Sequence, residues 1–230
     1  MNFAISKESA VRSVRRQLAP WNIYDVTFVG CEVREFKGTK DPNITYQVLD
    51  IKFENEDGYF TVTRFFPKQG DDVRRKLPNK KGGEREVASN FEELMNIVKQ
   101  TAEVLTPEGF KKMSELSSKF KSFDDVAKAL IAITDKVKGT KTKIKLVGRT
   151  RDNRVVAEIP TITSVFDGVA TITDNYIGNK LFFTPYEEGK RNEYLKGTPT
   201  DMEKVPAADP LMGVAQETPA EDELDLESLL

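Results

Sequence analysis

The stretch Lys141-Thr-Lys-Ile-Lys-Leu-Val-Gly-Arg-Thr-Arg151 places cations at alternate positions. Side chains on a β-strand alternate faces. Lys141, Lys143, Lys145, Arg149 and Arg151 would therefore share one face, with Ile144 and Leu146 on the other. A row of positive charge on a sheet suits a phosphate backbone. It also suits a plain solvated face, so the rest of the chain has to separate the two. Lys136, Lys138 and Arg154 add to this group. A second basic group lies upstream, where Lys68, Arg74, Arg75, Lys76, Lys80, Lys81 and Arg85 outnumber Asp71, Asp72 and Glu84. Proteins that hold single strands without sequence preference pair a basic groove with aromatic rings on which bases stack. Phe28, Phe36, Tyr46, Tyr59 and Phe65 fall off the expected core faces, and Tyr46 and Tyr59 are the stacking candidates.

Other chemistries fit less well. The chain has no histidine and a single cysteine, Cys31. That removes the commonest general acid/base, Ser-His and Cys-His catalysis and the usual zinc ligand sets. It also rules out an internal disulfide and fits a reducing compartment. No G-x-x-x-x-G-K-[ST] phosphate loop is present. Leu49-Asp-Ile-Lys52 resembles the acid-x-Lys half of restriction-type nucleases, in which Asp50 would bind Mg²⁺ and Lys52 would stabilise the attacking hydroxide. Its separate acid would be Asp41, in reversed order, and Asp50 and Lys52 read equally as the polar face of a strand. The expectation is a non-enzyme with no catalytic residues, cofactor or metal.

Several elements would have to position these groups. Residues 6–18 have Val11, Val14 and Leu18 at helical spacing, ended by Ala19-Pro20. Asp25 to Phe36, Thr45 to Phe53 and Tyr59 to Phe66 read as three strands, with a turn at Asn55-Glu-Asp-Gly58. In the first, Val29, Cys31 and Val33 oppose Phe28, Glu32, Arg34 and Phe36; in the second, Leu49, Ile51 and Phe53 oppose Tyr46, Asp50 and Lys52. Residues 68–88, with Pro78, Gly82 and Gly83, read as a long mobile loop. Ser89-Asn-Phe-Glu92 is a capping box that opens a helix; Thr106-Pro107 and Ser122 start two more. Met95 and Met113 are expected in their core. Strands return at Lys141–Arg149 and Val155–Thr163, and Val165–Thr173 and Lys180–Pro185 are candidate short strands.

Three strands, helices, then further strands is the order of the oligonucleotide/oligosaccharide-binding (OB) fold. The expected class is mainly β with a helical insertion (α+β), an OB-like five-stranded barrel with helices between strands 3 and 4. The expected division is an N-terminal helix over 1–19, an OB-like nucleic-acid-binding domain over 20–196 with its helical insertion at 89–138, and a disordered acidic tail over 197–230.

The net charge of −2 conceals an asymmetry. From Pro206 onward there are acids and no base, at −7, which leaves +5 on residues 1–205. Asp222, Glu223, Asp225, Leu226, Glu227, Leu229 and Leu230 form an acidic segment with leucines; as a helix it would align Leu226, Leu229 and Leu230. Such a segment reads as a solubilising tail or as a partner-binding one that competes with nucleic acid for the basic groove. No run of ~20 apolar residues offers a membrane span, and Met1-Asn-Phe-Ala-Ile-Ser-Lys-Glu8 lacks the pattern of a signal peptide.

An OB-like order, a basic body and an acidic segment with hydrophobics together resemble a bacteriophage single-stranded DNA-binding protein. Pro20-Trp-Asn-Ile-Tyr24 and Phe53-Glu-Asn-Glu-Asp-Gly58 also resemble uncharacterised proteins of large tailed phages, including crAss-like ones. The resemblance implies single-stranded DNA as partner, support of phage DNA replication and recombination in the cytoplasm of a bacterial host, and recruitment of replication or repair proteins by the tail. The family's tip commonly ends in an aromatic residue, where this sequence has Leu229-Leu230. The other function class that fits is a phage virion or interaction protein whose basic surface meets protein or packaged DNA.

Overall fold

The computed structural model describes residues 16–38, 41–68, 70–78, 82–151, 154–160, 163–169 and 181–197. Within them lies a mixed α/β fold with a five-stranded antiparallel sheet and four α-helices. Strand β1 is Asn22–Lys37, β2 Thr45–Glu54 and β3 Tyr59–Phe65. A small hairpin follows, β4 Arg75–Pro78 with β5 Glu84–Val87. Three helices come next, α1 Asn90–Leu105, α2 Pro107–Glu115 and α3 Phe123–Asp135, then β6 Lys141–Arg151, β7 Arg154–Glu158 and α4 Pro185–Gly197. The large sheet runs β3-β2-β1-β6-β7. No ladder joins its edges β3 and β7 among the described residues; an ion pair from Arg64 to Glu158 at 3.9 Å spans them.

β1 is shared between two ladders. Its first half, Asn22 to Thr27, pairs with β6, and its second half, Thr27 to Lys37, pairs with β2. Between them the register slips at Phe28/Gly30, a β-bulge in which Gly30 takes φ +152°, a value L side chains rarely adopt. The bulge corrects the expected faces of β1. Strict alternation set Phe28 opposite Val29 and Cys31; the extra residue instead turns Phe28 inward, at 0% exposure, and leaves Val29 exposed at 40%. Phe28 packs against Phe53, ring centroids 5.8 Å apart, and Phe53 against Phe166 at 5.6 Å. Ile51, Val62, Ile144 and Leu146 complete the sheet's contribution, and Leu94, Val98, Val126 and Leu130 of α1 and α3 cover it.

Capping explains where the helices start. Ser89 and Glu92 form a reciprocal capping box at α1, and Ser122 and Asp125 another at α3; Pro107 opens α2. The expected capping signals for the insertion therefore hold in the structure.

Three local expectations differ. Residues 16–18 are extended rather than helical, with Leu18 N–H donating to the Tyr59 carbonyl at 2.9 Å and Tyr59 N–H to Arg16 at 2.8 Å; residues 1–15 lie outside the described residues. The 68–88 stretch is no open loop, because Arg75 to Pro78 finds cross-strand partners in Glu84 to Val87. Of the residues that suggested mobility, Pro78 ends β4, paired with Glu84, and Gly82 and Gly83 directly precede β5. Residues 185–197 form a helix, and its signal was in the sequence. Thr184-Pro185-Tyr186-Glu187 is a capping box with proline at the first helical position: Glu187 N–H donates to Thr184 Oγ1 at 3.3 Å, and Thr184 N–H to Glu187 Oε2 at 2.8 Å.

Phe28→Ala should cost about 3–5 kcal/mol, as expected for an aromatic removed from a filled core. Denaturant unfolding measures it, and a cost below about 1 kcal/mol would place Phe28 on the solvent face after all.

Candidate nucleic-acid interface

The bulge leaves β1–β3 with an outer face built from side chains in register. Phe36 pairs with Tyr46, Arg34 with Val48, and Val48 with Phe65. At one end of that face three rings meet. Phe36 and Tyr46 stack at 5.7 Å with an interplanar angle of 27°, and Phe65 packs edge-on to both at 5.8 Å. Val48 lies between Arg34 and Phe65 in register and is fully buried, while Phe65 is 55% exposed. Cations border the rings: Lys68 Nζ stands 4.5 Å from the Tyr46 centroid and the Arg34 guanidinium 5.7 Å from that of Phe36. Arg34 is fixed by Asp50, which accepts from its Nε at 3.0 Å and from Thr63 Oγ1 at 2.6 Å. Lys52 pairs with Glu32 farther along the same face. Asp50 and Lys52, the nuclease candidates, are thus engaged with neighbouring strands. Among the described residues no group of three or more His, Cys, Asp or Glu side chains could hold a metal ion.

On the opposite side of β3, next to Phe65, is Arg64. It shares the Glu158 carboxylate with Arg149 Nη1 at 3.2 Å and Arg151 Nη2 at 3.0 Å. Three guanidinium groups on one carboxylate leave an excess of positive charge. Burial pushes the Arg64 pKa down, with Glu158 acting against it; a guanidinium remains charged regardless. Arg149 and Arg151 are exposed and flank the β6–β7 turn.

The expected site residues therefore divide. Tyr46 belongs to the ring cluster. Tyr59 stands on the same face of β3 but at its other end, paired with Glu54. Phe36 and Phe65, considered less prominent in the sequence, complete the cluster. Arg74 and Arg75 are tied to the first turn of α1 through Glu92 at 2.9 Å and Glu93 at 2.6 Å, and Lys76 lies 4.0 Å from Glu84. Lys80, Lys81 and the acidic segment Asp222, Glu223, Asp225, Leu226, Glu227, Leu229 and Leu230 lie outside the described residues.

The row on β6 is not one continuous track. Lys141 is exposed, and Lys143 is exposed beside Asp25 at 3.1 Å. Lys145 is 1% exposed. Residues 163–169 run alongside β6, with Lys145 N–H donating to Val165, and α4 closes over them. Lys145 Nζ then meets Glu187 Oε2 and the Phe182 carbonyl, both at 3.1 Å, and Thr163 Oγ1 donates to Glu187 Oε1 at 2.8 Å. α4 is further held by Arg191, which donates to the Trp21 carbonyl at 3.1 Å. Trp21 in turn lies over Gly148, where a Cβ would sit 2.1 Å from its Nε1. Neither family models, nor curated proteins, nor solved structures match this chain.

Removing one partner of a buried ion pair strands the other charge, at about 3–5 kcal/mol. Lys145→Met should lower stability by that order in denaturant unfolding, and adding Glu187→Gln, which keeps the α4 cap, should recover much of it. An unchanged midpoint would return Lys145 to the exposed row.

Proposed function

We propose that the chain is a non-enzymatic, single-stranded DNA-binding protein with little sequence preference. The observation that carries the reading is the ring cluster of Phe36, Tyr46 and Phe65 bordered by Arg34 and Lys68 on the outer face of β1–β3. Rings at the surface between fixed cations are what base stacking with phosphate neutralisation calls for, and any base has a face to stack. Arg149 and Arg151, at the β6–β7 turn, would extend the phosphate contacts.

The strand order β3-β2-β1-β6-β7, helices between β3 and β6, and a bulged first strand in two ladders support an OB-like barrel, approached at its seam by the Arg64–Glu158 pair. In that fold the second and third strands and the loops after the first and fourth carry oligonucleotides. On that reading Tyr46 of β2 and Phe65 of β3 would lie on the binding face, with Arg149 and Arg151 at the end of β6, next to the fourth-to-fifth-strand loop. Together with the resemblance to phage proteins, this extends the proposal to replication and recombination of phage DNA in the cytoplasm of a bacterial host, with replication or repair proteins read by residues 221–230. Among the described residues no helix is long and apolar enough to cross a membrane.

Affinity for dT oligomers, read by fluorescence anisotropy across a salt series, tests the reading. Phe65→Ala should weaken binding by about 1–3 kcal/mol, the worth of one stacked base, with an unchanged melting temperature. Arg149→Ala with Arg151→Ala should flatten the log–log salt slope by roughly 0.7 for each phosphate no longer neutralised. No binding at low salt, with or without residues 206–230, overturns the proposal.

A further inference from the structure

A groove of about 400 Å³ opens between α1, α2 and the short 3-10 turn Ser117–Lys119, on the helical layer. Phe91, Met95, Phe110, Met113 and Phe120 line it almost without polar surface. Phe91, Met95, Phe110 and Phe120 are only half-buried, and no element among the described residues fills the space they border. Thioether and aromatic side chains of this kind form grooves that accept an amphipathic segment. Lysines outnumber carboxylates among the lining residues and their chain neighbours, where the acids are Glu92, Glu93 and Glu115. Lys99 lines the groove, Lys119 and Lys121 flank Phe120, and Lys111 follows Phe110. All four are exposed, and none forms an ion pair among the described residues. Glu92, the carboxylate at the groove, is already engaged by Arg74 and by the α1 cap.

An apolar groove with unpaired lysines around it calls for leucines carried between carboxylates. The chain has one such stretch, Glu221-Asp-Glu-Leu-Asp-Leu-Glu-Ser-Leu-Leu230. We propose that residues 221–230 dock in the α1–α2 groove of their own chain. Leu226, Leu229 and Leu230, on one side of a helical turn, lie against the phenylalanine and methionine side chains, and the carboxylates lie against the lysine rim. Residues 198–220, which link this segment to the end of α4, reach about 75 Å when extended, and a domain of this size has a radius of gyration of only about 16 Å. Tethering supplies an effective concentration of order millimolar, so weak intrinsic affinity suffices. Residues 1–15, also outside the described residues, carry Arg12 and Arg15 beside Val11 and Val14 and have the wrong charge for this rim. The inference does not rest on nucleic-acid binding: the groove lies on the helices, away from the outer face of β1–β3.

The test uses the full chain. A nitroxide is attached at Ser228→Cys, and the methionine methyl groups, enriched in ¹³C, are observed by NMR. Cys31 does not compete for the label at neutral pH, because burial pushes its thiol up to about 12; wild type treated with the same reagent is the control. The expected result is that Met95 and Met113 lose most of their signal and regain it when the nitroxide is reduced. Leu226→Asp with Leu229→Asp should abolish the loss at an unchanged melting temperature, and Lys99→Glu with Lys119→Glu should weaken it. Three results overturn the proposal. One is no loss at Met95 and Met113. Another is loss only when the labelled chain is mixed in as a separate copy. The third is loss from a nitroxide at Ser6→Cys in place of Ser228→Cys.

Discussion

The structure depends on one strand serving two ladders. A flat β1 could pair with β2 or with β6 along its length; it could not bend from one to the other. The slip at Phe28/Gly30 provides the bend, and Gly30 provides the backbone angle. Its consequences reach the proposed interface. Because the register advances by one residue there, Phe28 enters the core while Arg34 and Phe36 remain on the outer face, level with Val48 and Tyr46. The ring cluster is therefore the far end of a strand whose near end packs against β6. Arg64, next to Phe65 in β3 but on the other side of the strand, meets Glu158 of β7, and Arg149 and Arg151 share that carboxylate.

Much of this was legible in sequence, for local reasons. Three strands, a tight turn and three capped helices were marked by alternation, by Asn55 to Gly58, and by Ser89, Pro107 and Ser122, each acting within a few residues. The outer face of β2 was read correctly through Tyr46, Asp50 and Lys52. The sequence misled where the deciding interaction was distant. Alternation placed Lys145 with Lys143, and the backbone agrees; but burial depends on what lies above a face, and Thr163 and Glu187 come from residues far along the chain. The ring trio was hidden for a similar reason, since Phe36, Tyr46 and Phe65 become neighbours only once two registers are set. Glu187 is the exception. Its capping box with Thr184 was local and readable, and it marked both α4 and the partner of Lys145.

Charge on this chain does two different jobs, and burial separates them. Lys145 and Glu187 are enclosed, and their mutual hydrogen bonds with Phe182, Thr163 and Thr184 offset the loss of water. Such a pair holds α4 in place and is closed to ligands. Arg149 and Arg151 are exposed around a half-buried Glu158, where ion pairs are worth about 0–1 kcal/mol and give way to competing anions. The carboxylate orients the guanidinium groups without neutralising them, which lowers the ordering cost that a phosphate would otherwise have to overcome. Asp50 acts in the same way on Arg34, fixing it near the Phe36 ring from below.

That distinction also explains how an acidic segment and a basic surface can coexist on one chain. If the cations were all exposed and unpaired, residues 206–230 would settle wherever the charge was greatest, directly on the interface. Glu158, Asp50, Glu92 and Glu93 pair with the arginines there and at the β4–β5 hairpin, which weakens that pull without removing it. The lysines around the α1–α2 groove have no such partners among the described residues, and the groove beside them is a recess lined by apolar side chains, whereas the interface presents its rings on an open strand face. Leucines distinguish the two destinations where charge alone would not. Coulomb attraction between solvated groups fades over a Debye length of about 8 Å at physiological salt, whereas apolar contact survives it. At that ionic strength the proposed docking would draw its preference for the groove mainly from Leu226, Leu229 and Leu230, with the lysines of the rim adding to it.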